Sequence, residues 1–317
     1  MTIQETAALL RQQDHILILT HRRPDGDTLG CAAALCECLR GLGKAAYVLQ
    51  NPDTTDLYRP YVEACWAPEG FVPEFVVSVD IAAKGLFFPA AERYLDGVDL
   101  AIDHHPSYEG FGKVSCVDPS RAACGEIVYE ICLELGAMTP AVALPLYVAI
   151  ATDTGCFVYT NTTANTHAVA AALMGTGIDA GAVNKRHFRT KSRKRLLLEA
   201  DMLSNMEFFQ DGRVVFLSVP LSLMERLGAD ENDAEDLATL ATLVGGVDCG
   251  AVLRELPGGE WKISLRTDGV RVNATEVCKR LGGGGHAAAA GATVPGSLDE
   301  AKVALLSAIN AVGADCP

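Results

Sequence analysis

The chain has 317 residues and a formal net charge of −14, with 49% hydrophobic and 21% charged residues. That length exceeds the ~250–300 residues at which a single core stops growing, so two domains are expected. An acidic chain argues against broad, non-specific or stable duplex-DNA binding, which needs a basic face, and leaves room for a small anionic substrate held by local cations.

The eleven cysteines are odd in number and form no C-x-x-C pair, so reduced, buried thiols are expected rather than a disulfide framework. "MTIQETAALLRQQDH" lacks the apolar core of a signal peptide, and "AVALPLYVAIA" at Ala141–Ala151 is too short to cross a bilayer. These features point to a cytoplasmic protein without a membrane partner. They leave a homodimer open.

In chain order, "HILILT" reads as a buried strand that stops at a polar loop, "HRRPDGDTLG" (His21–Gly30). The helix "LGCAAALCECLRGLG" follows, then strands "AAYVLQ", "FVVSVDI" and "DLAIDHH", then the helix "ACGEIVYEICLELG" and the segment "ATDTG". Apolar strands separated by helices predict an α/β fold with a parallel sheet covered on both faces. From Asn184 the pattern changes. "KRHFRTKSRKRLLLEADMLSNMEFF" reads as one long, partly basic helix. Beyond it a smaller α/β unit has strands "VVFLSVP", "CGAVLREL" and "EWKISLRT", with helices around Asp233–Val244 and Thr275–Leu281. The expected domains are residues 1–185, a linker helix 186–210, and 211–317, with the active site in the cleft between the two domains.

His21, Asp25, Asp27, Asp80, Asp103, His104, His105 and Asp153 all fall at predicted strand ends or in the loops after them. Ligands of parallel sheets bind beyond those ends. Singly, each residue has an ordinary role: "PDGD" is turn and N-cap chemistry, Asp80 and Asp153 can each cap the next segment, and a histidine can be a satisfied buried imidazole. Their gathering at one edge would then require several coincidences. A sulfur-free carboxylate–imidazole set suits Mn²⁺, Fe²⁺ or Zn²⁺, and it is too large for one ion. Two ions ~3.5–4 Å apart, sharing a carboxylate, can clamp a phosphate and activate water.

"HRRPDGDTLG", "VSVD", "DHH" and "ATDTG", in this order, resemble the four N-terminal motifs of the DHH phosphoesterase superfamily. "ISLRTDGVRVNATEVCKRLGGGGHAAAAG" is similar to the DHH-associated C-terminal domain. The resemblance covers nearly the whole chain, at the length of the nanoRNase/pAp phosphatase branch. It implies that His21, Asp25 and Asp80 bind one metal and that Asp27, Asp80, His104 and Asp153 bind another. Both would be Mn²⁺. Asp103 would orient a histidine, and His105 would face the scissile phosphate or protonate the leaving oxygen.

In the second domain, Gly282–Gly285 before His286 allow backbone N–H groups to approach an anion, although one glycine would suffice as a helix cap. Arg266 offers a two-point fork for phosphate. With the resemblance, Arg266, Gly284, Gly285 and His286, and more weakly Thr267, are expected to hold the terminal phosphate or nucleotide of the substrate. On this reading the His21–Gly30 loop supplies metal ligands and no specificity.

The basic run "RTKSRKR" reads as a solvated helix face. It is similar to the Ser-Arg-Lys-Lys motif of the family's manganese pyrophosphatases, but its place in the linker counts against that activity. Departures from the family pattern fall at Ala122, Ala123 and Cys124, at Val158, where arginine is frequent, and at Ala287 and Ala288. They bear on substrate preference and remove no expected ligand. The resemblance implies hydrolysis of short RNA oligomers to 5′-mononucleotides, with removal of the 3′-phosphate of pAp. The alternatives are a phosphodiesterase of linear or cyclic dinucleotides and a non-catalytic nucleotide-binding regulator.

Overall fold

The computed structural model describes all residues except 232, 235, 236 and 315–317. Two compact units divide the chain, Met1–Thr190 and Lys191 onward.

The first unit contains, in order, α1 (Ile3–Gln12), β1 (Ile16–Leu19), α2 (Gly26–Gly41), β2 (Ala46–Val48), α3 (Arg59–Val62), β3 (Phe75–Val79), α4 (Pro89–Glu92), β4 (Leu100–Asp103), β5 (Val114–Val117), α5 (Cys124–Leu135), α6 (Pro140–Asp153), α7 (Ala164–Gly175) and α8 (Ala180–Asn184). The five strands form a parallel sheet in the order β2-β1-β3-β4-β5. Every residue of β1, β3 and β4 is buried, as expected of strands covered on both faces. The chain order reverses between β1 and β3, and a crevice opens at such a switch point beyond the carboxyl ends of the strands. His21 stands two residues after β1, and Asp80 directly after β3.

Helix α2 is built to lie deep. Its run Cys31–Leu35 is buried, and small residues bring α6 close. A Cβ added at Gly30 would fall against the Pro145 carbonyl and 2.9 Å from the Ala149 Cβ, so only glycine permits this crossing. The apolar run Ala141–Ala151 belongs to α6, a core helix with Pro145 inside it. Among the described residues no helix is long and apolar enough to cross a membrane.

Strand β5 has no counterpart in the predicted elements. It is a four-residue edge strand, partly exposed, and too short to carry a clear apolar pattern.

The expected linker helix is not one helix. α8 runs into a π-helical turn, Lys185–Arg189, the chain is extended at Thr190, and α9 (Arg193–Ser204) starts afresh with the Ser192 hydroxyl accepting from the Arg195 N–H. The local hydroxyl cap prevails over the continuous helical pattern.

The second unit continues with β6 (Glu207–Phe209), β7 (Val214–Val219), α10 (Leu221–Leu227), β8 (Cys249–Leu256), β9 (Glu260–Thr267), α11 (Ala274–Arg280), β10 (Gly284–His286), β11 (Ala289–Pro295) and α12 (Leu298–Ala314). Its six-stranded sheet, β10-β11-β9-β8-β7-β6, is mixed, with only β7 and β8 parallel. Within the span predicted as a helix around Asp233–Val244, a 3-10 helix covers Leu237–Thr242, and Glu235 and Asp236 lie outside the described residues. The described cysteines are all free and, except for half-buried Cys156, buried; Cys316 lies outside the described residues.

Candidate metal centre

The β1–α2 loop is shaped by the capping chemistry its sequence suggests. Asp25 is the N-cap of α2, and its Oδ1 accepts from the N–H groups of Asp27, at 3.0 Å, and Thr28, at 3.2 Å. The helix therefore begins at Gly26, earlier than the pattern from Leu29 suggests, and Asp27 occupies its first turn. The Thr28 hydroxyl donates to the Val79 carbonyl at 2.9 Å, which pins the start of α2 to the end of β3. Asp80 follows β3 in a left-handed conformation (φ 58°) that a non-glycine residue rarely adopts, and such strain concentrates at functional sites. Asp103 ends β4. Asp153 departs from its expected place at a strand end: it is the last residue of α6.

These elements bring together three overlapping groups: His21 with Asp25 and Asp80; Asp27 with His104 and Asp153; and Asp80 with His104 and His105. In each, the potential ligand atoms lie within 4.8 Å of one another. His21 Nε2 is 3.5 Å from Asp25 Oδ1 and 3.8 Å from Asp80 Oδ2. His104 Nε2 is 3.5 Å from Asp80 Oδ1 and 3.8 Å from both Asp27 Oδ2 and Asp153 Oδ2.

The tautomers decide what these spacings mean. His104 Nδ1 faces the Arg121 carbonyl at 3.2 Å, and His21 Nδ1 faces the Arg22 carbonyl at 2.8 Å. A carbonyl can only accept, so Nδ1 carries the proton in each ring. Burial, with His105 adding to it, lowers the pKa of His104 and favours its neutral form. Its Nε2 lone pair then confronts three carboxylates, acceptor against acceptor, an arrangement that a cation between them resolves. Asp80 Oδ1 is buried with no hydrogen-bond partner among the described residues. Burial and then the neighbouring carboxylates push Asp27 and Asp80 well above the usual carboxylate range, and the same causes raise Asp153 to about 7. The donor set therefore fits divalent cations.

Asp27 is held from behind. Its Oδ2 accepts from the Cys124 N–H at 2.7 Å, while Oδ1 accepts from the Gly125 N–H at 2.9 Å and the Cys31 thiol at 3.3 Å. Only the i,i+4 spacing of Asp27 and Cys31 hints at this support in the sequence. Asp103 Oδ1 accepts from the N–H groups of His104 and His105 and from His105 Nδ1 at 2.8 Å. That contact, outweighing burial, raises the pKa of His105.

In the second unit, Arg266 of β9 lies opposite Ala289 of β11, which lies opposite His286 of β10. Directly opposed residues point to the same face, so Arg266 and His286 flank a small alanine. The glycines have separate tasks. Gly282 is left-handed just past α11 (φ 78°), while side chains at Gly283 and Gly285 would collide with β11; Gly282 and Gly284 face open space. Two of the four thus serve strand packing rather than anion approach. The Thr267 hydroxyl is committed to the backbone, donating to the Ala287 carbonyl and accepting from the Gly269 N–H, both at 3.1 Å.

Sheet order, loop chemistry and donor set together define an α/β protein with a candidate divalent-metal centre. The DHH family, N-terminal domain, matches residues 15–150, and the DHHA1 domain matches residues 213–314. The bifunctional oligoribonuclease and PAP phosphatase NrnA of Thermus thermophilus is 35% identical over 93% of this chain and 89% of that protein. Its namesake from Bacillus subtilis is 26% identical over 91% of each. In fold, an exopolyphosphatase-related protein of Bacteroides fragilis superposes with a TM-score of 0.89 at 22% identity, covering 98% of this chain and 96% of the other. The chain belongs to the DHH family of phosphoesterases, in its branch of bifunctional oligoribonucleases and PAP phosphatases.

Proposed function

We propose that this protein is a manganese-dependent phosphoesterase that hydrolyses short oligoribonucleotides to 5′-mononucleotides and removes the 3′-phosphate of pAp. The lone pair of His104 set among Asp27, Asp80 and Asp153 carries the reading, and the two substrates accord with the names of the relatives that span most of the chain.

His21, Asp25 and Asp80 would hold one divalent ion, and Asp27, His104 and Asp153, with Asp80 contributing to both, would hold a second. When bound, such ions supply Lewis acidity toward phosphate oxygens and an activated water. The chain's own groups do the rest. Asp103 fixes His105 through Nδ1, which leaves Nε2 to meet the substrate. The raised pKa of His105 keeps a proton on that ring to deliver to the departing 3′-oxygen. Arg266 and His286, on either side of Ala289 on one sheet face, grip the nucleotide end, with the Gly284 backbone on the same strand as His286. Thr267 serves as a structural support for that loop. The protein acts as a cytoplasmic enzyme of residues 1–185 and 211–317, joined through residues 186–210.

Parallel assays on pAp, pApA, a five-nucleotide RNA and cyclic di-AMP, each with Mn²⁺ and with chelator, test the reading. Turnover of the first three with Mn²⁺ alone is expected. Preferential turnover of cyclic di-AMP would replace it with the dinucleotide phosphodiesterase.

A further inference from the structure

The loop that carries His21 and Asp25 also carries Arg22 and Arg23, and the stretch after Asp80 carries Lys84. All three side chains are exposed, and among the described residues none makes a hydrogen bond or ion pair. Elsewhere many arginines are paired. Arg121, Arg195, Arg226, Arg254 and Arg271 all face a carboxylate at 2.9 Å or less.

The backbone under these cations is nonetheless tightly held. The buried Asn51 amide donates to the His21 carbonyl at 2.8 Å and to the Thr20 hydroxyl at 3.1 Å. Asp53 Oδ2 accepts from the Arg23 N–H at 3.2 Å, fixing Arg23 in a left-handed conformation (φ 51°). The Arg22 N–H donates to the Leu86 carbonyl at 2.7 Å, which ties the Arg22 loop to the turn bearing Lys84. Glu109 accepts from the Lys84 N–H at 2.8 Å. Asp53 and Glu109 thus spend these contacts on backbone, and the cationic heads stay free. By contrast, the loop after Asp153, "TGCFVYTNT", contains no charged residue.

Three cations without partners among the described residues are therefore carried on firmly held backbone, one and two residues after His21 and four residues after Asp80. Arginine forks match phosphate oxygens, and exposed cations left free of carboxylates keep their charge for a ligand. We propose that Arg22, Arg23 and Lys84 form a subsite for a second phosphate of the substrate, one that is not cleaved. The loop expected to supply metal ligands alone would then also set specificity. This inference rests on the phosphoesterase reading above. The second phosphate has two sources, a 5′-terminal phosphate or the next internucleotide phosphate.

The test uses the full-length protein and its Arg22→Gln/Arg23→Gln double variant on ApA, pApA and ApApA. The step from ApA to pApA adds a terminal phosphate, and the step to ApApA adds an internucleotide one. In the wild type at least one addition raises kcat/KM, and the double variant loses about tenfold of that gain through KM, in line with the loss of charged hydrogen bonds. A methylenephosphonate analogue of pApA, titrated calorimetrically, binds the double variant about tenfold more weakly. Arg22→Lys/Arg23→Lys recovers part of both effects. Thermal melting of each variant stays near wild type, as the side chains have no partners to lose. If the wild type cleaves all three substrates but its gains are absent, or persist undiminished in the double variant, the subsite is wrong and the phosphoesterase reading stands. If it cleaves none of the three, the two fall together.

Discussion

The backbone N–H of Cys124 donates to Oδ2 of Asp27 at 2.7 Å, across 97 residues of sequence. With the adjacent Gly125 N–H on Oδ1, the first turn of α5 grips both oxygens of a proposed metal ligand. Peptide N–H groups at a helix start favour a carboxylate, so α5 fixes the orientation of Asp27 and offsets part of its cost of burial. The centre is thereby coupled to the packing of α2, α5 and α6.

Gly125 and Gly30 allow that coupling to be tested. A Cβ at Gly125 would stand 2.9 Å from the Ala149 Cβ, 3.1 Å from Ile150 Cγ1 and 3.4 Å from Asp27 Oδ1. The three atoms nearest a Cβ at Gly30 all belong to α6. Both Gly125→Ala and Gly30→Ala should lose about 1–3 kcal/mol to overpacking, measured by urea unfolding with chelator present. Only Gly125→Ala should also weaken Mn²⁺ binding, by several-fold in a calorimetric titration. Equal metal affinities in the two variants would separate α5 from the centre.

Asp80 is 3% exposed, left-handed, and has one oxygen with no donor. Asp80→Asn keeps its shape and removes its charge. Hydrolysis should fall by roughly 10³-fold or more, as the loss of a shared carboxylate undoes a Lewis-acid site worth several kcal/mol. The chelated variant should be more stable than the chelated wild type by about 1–2 kcal/mol, because one of several mutually repelling buried carboxylates is gone. Retained activity would refute the sharing role.

Much of this centre was legible because its residues sit where chain pattern and chemistry coincide. "HILILT" and "FVVSVD" announce buried strands, and the polar residues after them stand at their carboxyl ends. Asp25 shows why motif and capping are not rivals, since the same residue caps α2 and faces His21. What stayed hidden was set by tertiary contact. Asp153 reaches the group from the end of α6, whose run is apolar all round and carries no period to separate helix from strand. The break at Thr190 depended on a single serine cap, and the support of Asp27 by Cys124 on backbone groups that side-chain identity does not report.

Metal binding should register as stability. Three raised carboxylates without a cation destabilise the chelated protein, and an ion that binds only the folded state stabilises it by RT ln(1 + [L]/Kd), about 2.7 kcal/mol at 100-fold excess over Kd. Thermal scans with chelator, then with added Mn²⁺, Mg²⁺ or Zn²⁺, should show an upward shift that His104→Ala and Asp80→Asn reduce. A melting temperature unaffected by every divalent ion would remove the metal reading.

His187 gives the acid limb of stability a separate origin. It lies on the π-helical turn, its Nε2 is 3.0 Å from the Tyr61 hydroxyl, its ring stacks on Tyr58, and its buried Nδ1 has no hydrogen-bond partner among the described residues. Burial, helped by the Arg186 guanidinium, lowers its pKa to about 4 from the usual 6.5. A depressed histidine contributes stability that is complete above pH 6.5, where the unfolded form is also neutral. That contribution is lost as pH falls from 6.5 toward 4, because the unfolded chain takes up the proton first. After allowance for solvent screening the loss amounts to about 1–2 kcal/mol. The carboxylates of the chelated centre act with the opposite sign, losing stability as pH rises through the usual carboxylate range toward 7, so a single pH profile mixes the two. Comparing wild type with His187→Phe by urea unfolding at pH 7.5 and 5 cancels the carboxylate contribution. The variant should lose less stability on acidification by the stated amount, and parallel losses would show that His187 is not the titrating group.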